Sequence, residues 1–287
     1  MNLQDRYVNP FTDFGFKKLF GSEPNKEFLI DFLNTLLPEN HRIEDLTYTK
    51  SEHLGGSPLD RKAIFDLYCT GKDGSKFIVE VQKAKQNFFK DRSIYYSTFP
   101  IQEQAKRGDW DFKLAHVYTV GILDFEFQDG QSSENVKTVV KLKDAKGEVF
   151  YDKLTFIYLE MPKFDKTEEQ LESNYDKWLY VFKHLPYLQN RPRKLQERIF
   201  EKFFRLAEIA NFTPEERENY EDSLKYYRDL KNVVDTSFVE GKAEGKAEGK
   251  EERAIEIARN ILGKGLDISL ISELTGLSQE EIEKLKK

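Results

Sequence analysis

Apolar residues recur at helical spacing near the start of the chain, at Phe16, Leu19 and Phe20 and then at Phe28, Leu29, Phe32, Leu33, Leu36 and Leu37. The pattern predicts an amphipathic helix or helix pair ended by Pro38. From residue 43 the spacing changes to that of strands. Residues 43–52 read as a first strand, leading through Gly55-Gly56-Ser57-Pro58 to two apolar runs, 63–69 and 77–82, that flank Gly71-Lys72-Asp73-Gly74-Ser75. These runs predict an antiparallel hairpin. Residues 87–106 are helical in pattern, with Pro100 expected to kink or break the helix. The near-continuous apolar run 116–127 belongs at the centre of a sheet. Runs 136–142 and 153–159 flank the turn Asp144-Ala145-Lys146-Gly147 and extend that sheet. Helical spacing returns from Thr167, and Thr213-Pro214-Glu215-Glu216 starts a further helix with an N-cap and a proline in its first turn.

The hairpin has two possible registers. With Lys72-Asp73-Gly74 as a three-residue loop and Gly74 left-handed, Asp66 directly faces Glu80. With Asp73-Gly74 alone as the loop, Asp66 meets Val81 instead. Side chains alternate with period two, so the first register gathers Phe65, Leu67, Phe77, Val79 and Val81 on one face and Asp66, Glu80 and Gln82 on the other. That register is preferred. Two carboxylates opposed about 5 Å apart repel one another unless something offsets the charge. A divalent cation taking hard oxygen ligands, Mg²⁺ or Mn²⁺, would do so. The plainer alternative is an ordinary solvated strand face, but Ile64, Tyr68 and Ile78 beside the acids are apolar, which points to partial burial.

Asp66 followed by Glu80-Val81-Gln82 resembles the PD-(D/E)XK phosphodiesterase motif, with Gln82 at the lysine position. Further segments resemble one branch, the recombination-promoting nuclease and transposase-type family often called Rpn. They are Asp13-Phe14-Gly15-Phe16-Lys17-Lys18-Leu19-Phe20-Gly21, Asp60-Arg61-Lys62, Arg92-Ser93-Ile94-Tyr95-Tyr96, Gln104 and Val120-Gly121-Ile122-Leu123-Asp124-Phe125. The resemblance spans about residues 6–165. It implies an α/β, restriction-endonuclease-like core with a mixed central sheet flanked by helices, followed by a helical C-terminal region. It also implies a Mg²⁺-dependent DNA endonuclease, with Mn²⁺ as a substitute ion, serving recombination or transposon-like mobility. Asp66 and Glu80 would hold the metal with the Val81 backbone carbonyl as third ligand, and Gln82 would orient the attacking water. Asp13 is either an added acid of the site or simply a favourable helix N-terminal residue. Lys62, Lys83, Lys85, Arg92 and Gln104 are candidate DNA contacts. Gln82 brings no positive charge, so a catalytically weak or inactive nucleic-acid-binding protein is the alternative, and an oligomeric scaffold a third reading.

Composition narrows the setting. With 287 residues, 39% apolar and 33% charged, the chain is globular, and neither a signal peptide nor a membrane-spanning stretch is expected. The cytoplasm is the expected compartment. The single cysteine, Cys69, forms no internal disulfide, and His41, His53, His116 and His184 lack zinc spacing. The net charge is −6, yet residues 60–92 carry eight basic against five acidic residues, a local bias that suits a phosphate backbone.

The tail changes character at Glu240. Three tetrapeptides beginning Gly241-Lys242-Ala243-Glu244 read as a semi-flexible linker over 240–253, because each glycine costs a helix about 1 kcal/mol. Pairing with a second copy would stiffen it, and the repeat and end helices are the expected route to a homo-oligomer. The expected divisions are a nuclease-like core over 1–165, a helical extension packed on it over 166–239, the linker, and a small helical module over 254–287. Ser278-Gln279-Glu280-Glu281 is a capping box. The surrounding sequence resembles a helix-turn-helix, but its last helix begins with acids, which favours an interaction module over a reader of DNA.

Overall fold

The computed structural model describes residues 5–49, 52–53, 63–85, 88–105, 109–127, 134–263 and 267–285. Thr12 caps the first helix, α1 (Asp13–Phe20), its hydroxyl accepting from the Gly15 N–H at 3.0 Å. Only glycine fits at position 15, where a Cβ would lie 2.1 Å from the Asn9 carbonyl oxygen. α2 (Lys26–Asn34) follows, and the two helices bury the apolar stripe seen in the sequence, from Phe16 to Leu33.

The strands are β1 (Leu46–Tyr48), β2 (Glu52–His53), β3 (Ala63–Ile64), β4 (Leu67–Gly71) and β5 (Lys76–Gln82), then, after helix α3 (Phe89–Gln102), β6 (Val117–Leu123), β7 (Lys137–Lys143) and β8 (Val149–Glu160). Six of them form one sheet in the order β1-β4-β5-β6-β8-β7, while β2 pairs with β3. The sheet is mixed: β6 runs parallel to β5 and β8, and the remaining pairs are antiparallel. Every residue of β6 is buried, as its apolar run predicts. The expected first strand is shorter than 43–52, three residues in β1 with β2 separate. The Gly55-Pro58 segment and Lys62 lie outside the described residues.

The β4–β5 hairpin takes the three-residue-loop register. Leu67 pairs with Val79, Tyr68 with Ile78 and Cys69 with Phe77; Gly71 N–H donates to the Ser75 carbonyl at 2.8 Å, and Gly74 has φ 87°. One residue departs from the expected facing. Strand geometry is interrupted at Phe65 and Asp66, between β3 and β4. That interruption breaks the strict alternation, so Phe65 packs with Tyr68 and Ile78, whereas Leu67, Phe77, Val79 and Val81 face the main core.

Helices cover both faces of the sheet. On one side α1 and α2 pack with α4 (Asn174–His184) and α5 (Arg198–Ala207), and Phe20, Phe32, Trp178, Phe182 and Phe203 form a dense aromatic cluster. On the other side α3 lays Tyr96 and Phe99 on Phe65, Tyr68 and Ile78, and Phe89 beside Leu123, Phe156 and Tyr158. Pro100 sits in the last turn of α3, which ends two residues later instead of breaking at the proline. This is the expected α/β organisation of a mixed sheet between helices.

The chain ends in α6 (Pro214–Leu262), α7 (Ile268–Thr275) and α8 (Gln279–Lys284), and divides into units 1–231 and 232–287. In the first unit α4 and α5 share the main core with the sheet. Thr213 caps α6, with Glu216 N–H donating to its hydroxyl at 3.2 Å. Tyr220 then accepts from the Asn9 N–H at 3.0 Å and Lys18 pairs with Glu216, which fastens the start of α6 against α1. The tetrapeptide repeat, expected to be a semi-flexible linker, is helical within α6. The second unit has its own small core of Ala258, Ile271, Leu277 and Ile282. Gly276 closes α7 at φ 74°, and Ser278 with Glu281 forms the expected capping box on α8.

Candidate metal centre at the end of the hairpin

The backbone ladder between β4 and β5 ends at Leu67 and Val79, and the chain turns away at Asp66. Beyond that point the Val81 N–H donates to Asp66 Oδ2 at 2.7 Å, so a side chain replaces the missing strand. The Asp66 N–H in turn donates to Glu80 Oε1 at 3.2 Å. These reciprocal bonds lock the two acids together. In an antiparallel ladder the N–H and C=O of one residue leave the strand on the same side, so the Val81 carbonyl is directed to the Asp66 side as well.

Glu80 is buried and Asp66 partly so. Burial raises the pKa of both. Glu80 is pushed up to about 8 by burial and then by the Asp66 charge, against the opposing pull of Arg92 and Lys17. Asp66 is raised by burial despite the Val81 N–H, with Asp13 adding to the rise and Lys17 and Lys83 opposing it. Bringing two like charges into this confined site is therefore costly, and the neighbouring cations offset that cost only in part.

The donor set fits a hard divalent ion. Among the described residues no three His, Cys, Asp or Glu side chains are gathered to hold a metal. Two carboxylates and a backbone carbonyl nevertheless match the sparse protein contribution typical of Mg²⁺, which keeps waters and takes substrate phosphate oxygens for its other positions. Such an ion would relieve the repulsion that burial imposes.

The remaining predicted residues divide clearly. Thr12, not Asp13, caps α1, so Asp13 is spare; it pairs with Lys17 at 3.0 Å and its charge reaches Asp66. Gln82 accepts a hydrogen bond from the Arg92 guanidinium, which also lies over the rings of Phe89 and Tyr96. Lys83 lies over the Tyr226 ring, 5.1 Å from its centroid, and burial lowers its pKa. Lys85 is exposed. Gln104 is not brought to the site as a free amide: its nitrogen donates to the Pro100 carbonyl at 3.0 Å and its oxygen accepts from the Ala115 N–H at 2.6 Å.

Sequence reasoning missed two features. Lys17, present in the sequence reading only as part of the Asp13–Gly21 segment, adds a cation whose charge acts on both acids. Asp124, whose N–H donates to the Gln82 carbonyl at 2.9 Å, holds Tyr227 and Lys231 of α6 at 2.8 and 3.1 Å. Those partners lie more than 100 residues away, and nothing local announces them.

No curated protein and no solved structure matches the chain. Family comparison is decisive. The description "PD-(D/E)XK nuclease family transposase" matches residues 10–237, and "Rpn/YhgA-like nuclease family, C-terminal HTH domain" matches residues 251–287. The first match spans the sheet, the carboxylate pair and the flanking helices, and the second spans the end of α6 with α7 and α8. The chain therefore belongs to the PD-(D/E)XK nuclease family of transposases, in its Rpn-type branch with a C-terminal helix-turn-helix domain.

Proposed function

We propose that the protein is a Mg²⁺-dependent DNA endonuclease, with Mn²⁺ able to substitute, serving recombination or transposon-like mobility. The observation that carries this reading is the locked pair of half-buried Asp66 and buried Glu80, with raised pKa values, at the end of the hairpin. Asp66, Glu80 and the Val81 carbonyl would hold the ion. When bound, the metal lowers the pKa of a coordinated water and offsets charge on the phosphate. The chain's own residues orient the reactants. The Val81 N–H fixes Asp66, the Asp66 N–H fixes Glu80, and Lys17, Lys83 and Arg92 supply positive charge toward a phosphate backbone.

The test uses purified full-length protein, supercoiled plasmid and Mg²⁺ or Mn²⁺, beside Asp66→Ala and Glu80→Ala. Cleavage by the wild type that both substitutions abolish is the expected result. Cleavage unaffected by either one sinks the assignment.

A second reading, nucleic-acid binding without turnover, draws on Gln82, which carries no charge where the motif has lysine. Metal binding with no cleavage across varied DNA substrates favours it. The helix-turn-helix unit extends either reading, although α8 begins Gln279-Glu280-Glu281, a poor approach to phosphate. Among the described residues no helix is long and apolar enough to cross a membrane.

A further inference from the structure

The contact between Arg92 and Gln82 decides which end of the amide serves the site. A guanidinium has only donors, so the atom it meets must be the Gln82 oxygen Oε1. The oxygen keeps a second lone pair, but a cation beside it draws its electron density away. What Gln82 then offers a ligand best is its N–H pair, made more acidic by the adjacent charge. Two aromatic rings hold Arg92 in place, its guanidinium carbon lying 5.3 Å from the Phe89 ring centroid and 5.7 Å from that of Tyr96. Both rings belong to α3, and Gln82 is the last residue of β5, two positions beyond Glu80.

We infer that Arg92 and Gln82 form one composite group, a guanidinium-backed amide that donates hydrogen bonds where the family motif places a lysine. Gln82 touches the reacting phosphate or the attacking water as a donor; Arg92 acts through it as a positioning and polarising residue. A role for Gln82 as acceptor of the water's proton is thereby set aside. The motif's missing charge is not lost but moved from β5 to the first turn of α3. Among the described residues, Asp13, Lys17 and Lys83 are further charged groups that act on Asp66 and Glu80. This inference rests on the nuclease reading above.

The experiment measures single-turnover plasmid cleavage with Mn²⁺ in five proteins: wild type, Arg92→Ala, Arg92→Lys, Gln82→Lys and the double variant Gln82→Lys/Arg92→Ala. Arg92→Ala is expected to slow the chemical step by about 100-fold, the size of losing one aligned donor, with the KM for DNA little changed. Arg92→Lys recovers part of that loss. A lysine at position 82 brings its own charge, so adding Arg92→Ala in that background is expected to cost under about fivefold. Equal losses in the two backgrounds, or a loss confined to KM, overturn the inference. A readout without metal or DNA tests the contact itself. The Gln82 side-chain NH₂ signals in a ¹H–¹⁵N spectrum, identified by their disappearance in Gln82→Lys, shift in Arg92→Ala; signals that stay in place overturn it too. A wild type that cleaves no DNA sinks the nuclease reading and this inference together, whereas a cleaving wild type matched by Arg92→Ala sinks this one alone.

Discussion

Asp176 and the pair of half-buried Asp66 and buried Glu80 are carboxylates of the same unit with opposite fates. Asp176 lies in the first turn of α4, where burial would raise its pKa, but a hydrogen bond from Lys166 and N–H donors from Ser173 and Glu172 outweigh it, and the net shift is downward. Every lone pair that matters has a donor. Glu80 and Asp66 have one backbone N–H each and a like charge beside them, and their pKa values rise. The difference is informative because desolvation is common to both. What separates a structural acid from one poised for a ligand is the supply of donors, and at the end of the hairpin that supply is short.

The largest expected effect concerns chemistry. Glu80→Ala or Asp66→Ala should lower the cleavage rate by about 10³-fold or more, as loss of a metal ligand does, while Asp176→Ala leaves the rate within about twofold. An Asp176→Ala variant as inactive as Glu80→Ala would erase the contrast.

Stability should show the reverse order. Removing Asp176 takes a cap and an ion pair from α4, a loss of about 1–3 kcal/mol in urea unfolding at pH 7. Without metal, Glu80→Gln should instead stabilise the protein at pH 9 by on the order of 2 kcal/mol. The sign follows from the direction of the shift. A carboxyl raised on folding contributes stability that is present below its unfolded value, near 4.5, and lost as pH rises through its folded value near 8. Asp176, shifted down, contributes above its unfolded value and loses that contribution as the pH falls through its folded value. Unfolding curves at pH 5 and pH 9 check both. Glu80→Gln destabilising at pH 9 would contradict the repulsion.

A smaller effect links the pair to metal. Burial and the Asp66 charge raise the Glu80 pKa and favour its protonated form in the free protein, so Mn²⁺ should displace a proton, and calorimetry in two buffers of different ionisation enthalpy reads it. At 100 times its Kd, Mn²⁺ should stabilise the protein by about 2.7 kcal/mol. Glu80→Gln should lose both signals and Asp176→Asn should keep them.

Much of this arrangement is legible in the chain before folding. Gly74 and the alternation from Leu67 to Gln82 select the hairpin register, because the competing pairing would mix apolar and acidic residues on one face. The near-continuous apolar run of β6 announces its central place in the same way. Phe65 defeats the rule because alternation assumes an unbroken strand, and the interruption at Phe65–Asp66 leaves no mark in hydrophobicity. That same interruption frees the Asp66 carboxylate to reach Val81. Gln104 resembles a site residue by its position, yet its amide is spent on two backbone groups brought together by the end of α3. The link from Arg92 to Gln82 depends on the phase with which α3 packs on the sheet, and a residue's position within a helix does not state that phase. The glycine repeat reads as a semi-flexible linker because each glycine weakens a helix, although good helix formers fill the positions between.

That Asp66 and Glu80 together hold a divalent ion is tested most directly by diffraction at the manganese absorption edge from crystals soaked in Mn²⁺. One anomalous peak is expected within about 2.3 Å of a carboxylate oxygen from each residue, with the Val81 carbonyl as a further ligand. At saturating Mn²⁺, a site without such a peak, its acids still bonded only to the backbone N–H groups of Val81 and Asp66, would contradict it.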